Sequence, residues 1–386
     1  MTRDGVLFEI TKDQLETGLR GVPVGYCVTS YADPLKGLTY VGRPIAELAG
    51  LDPMEVIYLL YFGEFGVRSQ IEAFEQTLRP RARASAQTIR SIESLPRSGH
   101  SMDLFAAALL IVGMNEGTGD YREDALNVIA KLPHIAAAVI NHHAGWGATP
   151  EPDPRLGYME NFLHMLQCPD KKRELLQIFK LFNVVHFDHC GGNLSTFVGK
   201  AVASGLEHMW GSLAAAMTAL AGPRHGRANQ DCLEFVQEVL DTVGPDAKAA
   251  DVERLIRRKL ENKELVFGFG HAVLRVEDPR ATVFYQFADK HFGNHPLVKI
   301  ARLLRTEGPK VLKENPKITD PYPNIDAITG SALMAAGFPY PEYYTVLFGL
   351  SRCVGIAIQI VYERCEARGG KGVPIMRPLY LYKSRR

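Results

Sequence analysis

Apolar positions recur at helical spacing along almost the whole chain. Asp52-Pro53 supplies an N-cap and a first-turn proline ahead of MEVIYLLYF, and the apolar residues of that run repeat with the period of a helix. The same periodicity predicts helices over 70–79, 101–114, 122–141, 156–167 and 170–182. From Asn193 to Ala221 the chain is rich in Ala, Leu and Met and apolar nearly all round, which predicts one long helix buried in a large helical body. Gly222-Pro223 then ends it. Further helices are predicted over 230–242, 247–261, 279–290, 295–305, 326–336 and 341–366. Only GYCVTSY and LTYVGR, near the start, have the pattern of strands, enough for a small ribbon. With no repeat and no βαβ alternation, the fold class is all-α.

Composition narrows the classes of function. The 386 residues are 46% apolar and 23% charged, which suits a soluble globular chain with a sizeable core. Forty-four Lys and Arg balance 43 Asp and Glu, so no bulk field draws the chain to nucleic acid or an anionic membrane. Affinity for anions has to come from a few placed arginines. The longest strongly apolar run, Leu104 to Val112, is short for a bilayer span, so no membrane association is expected. Six scattered cysteines without a Cys-x-x-Cys pair point to reduced thiols rather than a disulfide framework. The start, MTRDGVLFEITKDQLE, carries acids early and lacks an apolar leader segment. A cytoplasmic location is therefore expected, with a trimmed organellar form as the alternative.

Candidate chemistry gathers in the loops of the second half, where GPRHGRAN, VFGFGH and DPYPNID interrupt the helices. Each sets an ionisable side chain beside Gly or Pro, as a site on a rigid scaffold does. His225 precedes a helix with Asn229 as its expected N-cap. It is either a surface histidine or one kept neutral to donate to a forming oxyanion, and the flanking Gly222 and Gly226 favour close approach of a ligand. His271, Arg275 and Arg280 share one short stretch that Asp278-Pro279 turns, so they form either an anion site with a proton donor or a solvated helix end. The Gly-Phe-Gly there lacks the third glycine and the parallel sheet of a dinucleotide fingerprint. Asp326, in the first turn of its helix, is a cap or a base. Arg352 and Arg377 lie in or beside apolar segments and need carboxylate partners, either from a ligand or from within the protein. HFDHCGGN sets His186 and His189 three apart, and His142-His143 would have to supply further ligands for a metal. The spacing matches no metal motif, and no metal is expected.

Taken together, GPRHGRAN, GFGHAVLRVEDPR, YPNID and YTVLFGLSR resemble the citrate synthase family. GLRGVPVGYCVTS, NVIAKLPHIAA and HFDHCGGN extend the likeness upstream in the same order, and they are closer to the mitochondrial-type branch than to the shorter bacterial enzymes. The resemblance implies an all-α, two-domain homodimer. Its large domain would be discontinuous, formed by 1–225 and 332–386, with a small domain, 226–331, inserted and closing over the substrates. It implies condensation of acetyl-CoA with oxaloacetate and water to citrate and free coenzyme A, with no permanently bound cofactor. By matching motif, Asp326 would take a proton from the acetyl methyl, His225 would stabilise the enol or enolate, and His271 would protonate the oxaloacetate carbonyl. His189, Arg280, Arg352 and the partner subunit's Arg377 would hold oxaloacetate. Arg275 and Arg20 would meet coenzyme A phosphates, 266–270, with Val266, Gly268 and Gly270, would line its adenine, and Asn324 would also bind the coenzyme.

Three positions depart from the family pattern. Cys190 follows His189 where many members carry Glu, Arg224 precedes His225 where a small or apolar residue is usual, and Arg122 is the nearest candidate for a further coenzyme A phosphate contact near 112–118. The close alternative is a 2-methylcitrate synthase using propionyl-CoA, because one methylene offers only about 1–3 kcal/mol of discrimination. A helical scaffold without turnover is the remote one, and the joint presence of His225, His271 and Asp326 argues against it.

Overall fold

A computed structural model of the protein describes residues 9–384. The first eight residues, which fall in the start read above, lie outside the described residues. After a short 3-10 turn, Lys12–Glu16, strands β1 (Ser30–Asp33), β2 (Gly37–Tyr40) and β3 (Arg43–Pro44) form an antiparallel ribbon in sequence order. Helices account for nearly all the rest. The first ten are α1 (Ile45–Leu48), α2 (Pro53–Phe62), α3 (Arg68–Leu78), α4 (Ala86–Glu93), α5 (Ser101–Glu116), α6 (Tyr121–Ala144), α7 (Tyr158–Met165), α8 (Leu175–His186), α9 (Leu194–Ser204) and α10 (Met209–Leu220). The expected cap of α2 is present: Asp52 accepts from Met54 N–H at 3.0 Å, and Glu55 reaches back to Asp52 N–H at 2.8 Å.

Helices α11 (Ala228–Val243), α12 (Ala249–Glu261), α13 (Pro279–Phe292), α14 (Pro296–Leu312) and α15 (Asp326–Ala335) pack on one another, with α15 against α11, α13 and α14. Helix α16 (Tyr344–Val361) returns to the first body and packs on α6, α8, α9 and α10. Every residue of α16 is buried. The stretch Pro341–Glu366 that contains it is long and apolar enough to cross a membrane by length and composition, but its most apolar 18 residues are all buried inside the protein, as in the core helix of a large helical body.

Two expectations are corrected. The long helix over 193–221 is two helices. Gly205 caps the first, Leu206 turns left-handed at φ 69°, and the ring of His208 accepts from Gly211 N–H at 3.0 Å to start the second. Asn229 is not an N-cap: α11 begins one residue earlier, and the buried Asn229 side chain bonds Thr329 on α15 instead.

Candidate active site

Two loops far apart in sequence are zipped together by their backbones. Gly270 N–H donates to Tyr322 O (2.9 Å), Asn324 N–H donates to Gly268 O (3.0 Å), and Asn324 Nδ2 donates to Gly270 O (3.0 Å). Asp278 N–H closes the strip on Pro323 O at 3.1 Å. Gly268 makes this possible. Its φ is +83°, and a Cβ there would stand 2.9 Å from Cys232 Sγ and 3.0 Å from Ala327 Cα. The zipper unites His271, Arg280 and Asp326, with Val266, Gly268, Gly270 and Asn324 half-buried along it.

The loop side chains are then fixed individually. The Nδ1 of His271 accepts from Val273 N–H (3.0 Å) and Leu274 N–H (2.9 Å), so the ring proton sits on Nε2. Asp278 caps α13 and takes the Arg280 side chain through Nε and Nη2, the latter at 2.6 Å. Asp326 is the first residue of α15, and Asn324 Oδ1 accepts its N–H at 3.0 Å. Asp326 therefore does not serve as the helix cap, and among the described residues none donates a hydrogen bond to its carboxylate.

The helical body supplies the facing groups. The ring of His225 accepts at Nε2 from Ser195 N–H (3.3 Å), with Ser195 Oγ also at 3.0 Å, which leaves the proton on Nδ1. Ser195 Oγ also lies 3.0 Å from Asn193 Oδ1, so its one proton serves either that oxygen or the His225 ring, and Asn193 Oδ1 accepts from Arg352 Nη1 at 3.1 Å. Arg352, fully buried in α16, also donates from Nε to His186 O at 3.0 Å. Its Nη2 is buried without a partner, as is His189 Nε2, and the His189 and His271 ring centres are 5.2 Å apart. Unsatisfied donors on a buried cation are costly unless an anionic ligand completes them.

The same burial that collects these groups tunes them. It lowers His225 and His271 to about 4, aided by the charges of Arg352 and Arg280 respectively, and holds His189 well below the usual histidine value. All three rings are neutral near pH 7. Burial raises Asp326 to about 7; Arg280 opposes the shift and Asp278 adds to it. Arg352 is lowered to about 10 by burial and remains a cation. The cluster thus combines a carboxyl poised to exchange a proton near neutral pH, neutral rings with fixed donor atoms, and two buried guanidinium groups.

His189 is seated by Asp188. That buried carboxylate accepts from Thr29 and Ser30 hydroxyls, from Gln359 Nε2 (2.7 Å) and from His189 N–H (2.9 Å). The ribbon that brings Thr29 and Ser30 also touches the loop side, because Arg275 N–H donates to Pro34 O at 2.8 Å. Cys190 N–H bonds Ser30 Oγ at 2.7 Å, and burial pushes its thiol up to about 12, so no charge stands at this position.

Other expected residues lie apart. Arg275 is exposed, with Nη1 on His271 O and Leu274 O at 3.1 and 2.6 Å. Arg20 and Arg377 are exposed near the two ends, and among the described residues their guanidinium groups find no hydrogen bond or ion pair. Arg224 faces solvent, so Arg352 rather than Arg224 acts on His225. Arg122 is paired with Glu366 at 3.1 Å. The histidines of the metal reading do not converge: His186 Nδ1 donates to Phe182 O, His142 bonds Leu95 O, and His143 sits between Tyr343 and Gly99 O. Ser195, Asn193 and Gln359 were missed as functional residues. The signal available for the first two was a pair of polar residues at the entry to an apolar helix.

The family model described as "Citrate synthase, C-terminal domain" matches residues 18–379. The mitochondrial citrate synthase of Citrus maxima is 34% identical over 396 residues, covering 96% of this chain and 83% of its own. The mitochondrial 2-methylcitrate synthase of Yarrowia lipolytica is 33% identical over 398 residues, covering 97% and 84%. Among solved structures, the ternary complex of Thermoplasma acidophilum citrate synthase with carboxymethyl coenzyme A and oxaloacetate superposes with a TM-score of 0.82 at 26% identity, covering 96% of this chain and 97% of that one. Both curated relatives are mitochondrial, which overturns the cytoplasmic location expected from the sequence. Reduced, scattered cysteines fit any reducing compartment and never discriminated between the two.

Proposed function

The chain belongs to the citrate synthase family, and we propose that Asp326, His225 and His271 carry the chemistry of its active site. It is an enzyme of acyl transfer that condenses acetyl-CoA with oxaloacetate and water to citrate and free coenzyme A. Asp326 removes a proton from the thioester methyl. The Nδ1–H of His225 donates to the thioester oxygen as negative charge develops there, a contribution of about 3–4 kcal/mol for one preorganised donor. The new carbon nucleophile attacks the oxaloacetate carbonyl while His271 delivers its Nε2 proton to the carbonyl oxygen. Water then cleaves the citryl thioester: its proton restores the His271 ring, the hydroxide bonds to the acyl carbon, and the thiol leaves with the proton held by Asp326, giving citrate and free coenzyme A.

Oxaloacetate is a dianion, and the orphaned Arg352 Nη2 and His189 Nε2 suit its carboxylate and carbonyl oxygens, with Arg280 beside them. The partner subunit's Arg377 completes this set in a homodimer. Arg275 and Arg20 meet the coenzyme's phosphates, Val266, Gly268 and Gly270 line the adenine, and Asn324 also binds the coenzyme. The units 1–225 with 332–386, and 226–331, act as a large domain and an inserted small domain that closes to exclude water. No resident cofactor is required by this scheme.

The observation that carries this reading is the pairing of a carboxyl raised to about 7 with two neutral histidines protonated on opposite ring nitrogens. Mixing the protein with acetyl-CoA and oxaloacetate should release free thiol, and Asp326→Ala should abolish the release. No thiol from the unaltered protein would end the reading. The 33% identity to the Yarrowia enzyme keeps a second substrate in view. Comparing kcat/KM for acetyl-CoA and propionyl-CoA decides it, and the expected preference is acetyl-CoA.

A further inference from the structure

Behind His189 runs a buried polar chain that touches none of the proposed reacting groups. Lys200 on α9 pairs with Glu363 just beyond α16 at 2.9 Å, and the two side chains are only 5% and 4% exposed. Lys200 Nζ also donates to Gln359 Oε1 at 3.2 Å, and Gln359 Nε2 donates to Asp188 Oδ1 at 2.7 Å. The same Oδ1 accepts the backbone N–H of His189. Residues 359 and 363 are one helical turn apart, so both face Lys200.

This arrangement has a direction. An ammonium on one side and a carboxylate on the other leave the Gln359 amide a single favourable orientation, oxygen to Lys200 and nitrogen to Asp188. A buried ion pair is a poor means of holding α9 to α16, since apolar side chains of similar volume do so at least as well. The approach is also close: at Gly355 of α16 a Cβ would stand 2.2 Å from Phe187 O, so the helix backbone lies directly against the segment that carries Asp188 and His189. Asp188 in turn supports the cation of Arg352, whose pKa its charge raises against the effect of burial.

We propose that Lys200 and Gln359 are positioning residues for the 2-oxo dicarboxylate substrate: by orienting the Asp188 carboxylate they set the height of His189 and steady the charge of Arg352. The inference rests on the reading of His189 and Arg352 as oxaloacetate contacts. The effect belongs to one substrate and not to the other.

The test is steady-state kinetics of the full-length enzyme carrying Gln359→Met, which removes the amide without adding charge, and Gln359→Glu, which keeps its shape but sets a carboxylate against Asp188. For Gln359→Met, KM for oxaloacetate should rise about tenfold, with kcat within about threefold and KM for acetyl-CoA unchanged. Gln359→Glu should raise KM for oxaloacetate further, and the excess should shrink as pH falls and the new carboxyl takes up a proton. A merely structural role would lower Tm and leave both KM values alone, or move them together; either result overturns the inference. If Gln359→Met does not fold, the pH-dependent excess in Gln359→Glu decides it. His189→Asn run alongside separates the two layers: if it leaves KM for oxaloacetate unchanged, the reading of His189 as a substrate contact fails. If His189→Asn raises that KM and the Gln359 variants do not, only the present inference fails.

Discussion

The two walls of the site are built by different means. On the body wall, His225, His189 and Arg352 stand on or beside α8, α9 and α16 and are held through side chains, by Ser195, Asn193, Asp188 and Gln359. On the loop wall, His271, Arg280 and Asp326 are held by backbone pairing of 266–271 with 322–324 and by local capping. A side-chain lattice anchored in helices keeps an anion seat rigid but offers many single points of failure. A backbone zipper tolerates changes in its side chains. Each wall carries both an anion-binding group, Arg352 or Arg280, and a hydrogen-bond donor, His225 or His271, so the proposed closure would bring two mixed sets together.

The largest effect should come from the loop wall. Asp326→Asn should lower kcat by about 10³, because the neutral amide cannot accept the methyl proton. It should also raise Tm at pH 8. The folded carboxyl keeps a proton up to about pH 7, whereas an unfolded one loses it near 3.8. Its contribution to stability is therefore present at low pH and lost as pH rises through that window, and the gain from the amide should vanish by pH 4. Next, on the body wall, His225→Ala should cost about 10²-fold in kcat by removing one oxyanion donor, with KM for oxaloacetate nearly unmoved.

Arg352→Lys tests the rigid seat. An ammonium cannot span His186 O and Asn193 Oδ1 and still present a third donor, so KM for oxaloacetate should rise about 30-fold or more. The smallest effect is expected for Ser195→Ala, about fivefold in kcat, because the backbone N–H of residue 195 still holds the His225 tautomer after the hydroxyl is gone. Equal losses for Ser195→Ala and His225→Ala would erase the contrast drawn between positioning and donating. In acid these histidines should act together: His225 and His271 stay neutral when folded down to about pH 4, burial holds His189 well below the usual histidine value, and all three protonate near 6.5 when unfolded, so stability should fall as pH drops below 6.5.

The loop wall was the more legible in the sequence. Gly-Phe-Gly-His, Asp-Pro-Arg and Pro-Asn-Ile-Asp place their chemistry within a few residues of the turns that position it, and Asp278-Pro279 could be read directly as a helix start. The body wall was not legible in the same way. Ser195 and Gln359 act through partners 30 and 171 residues away, and no local pattern encodes such pairings. The break at Gly205-Leu206 was hidden by the uniform apolarity of the helices on either side, although Ser204-Gly205 is a turn-forming pair. Asn229 was misplaced because a capping residue was inferred from its type, while α11 starts from Arg227 with no side-chain cap.

The most direct test of the account is the pH dependence of kcat/KM for acetyl-CoA, followed by thiol release. The account predicts an ascending limb with an inflection near pH 7, set by Asp326, and no inflection near 6.5 from a histidine that must be charged. A rate already at its plateau at pH 5, or one that falls as a histidine loses its proton between pH 6 and 7, would contradict it.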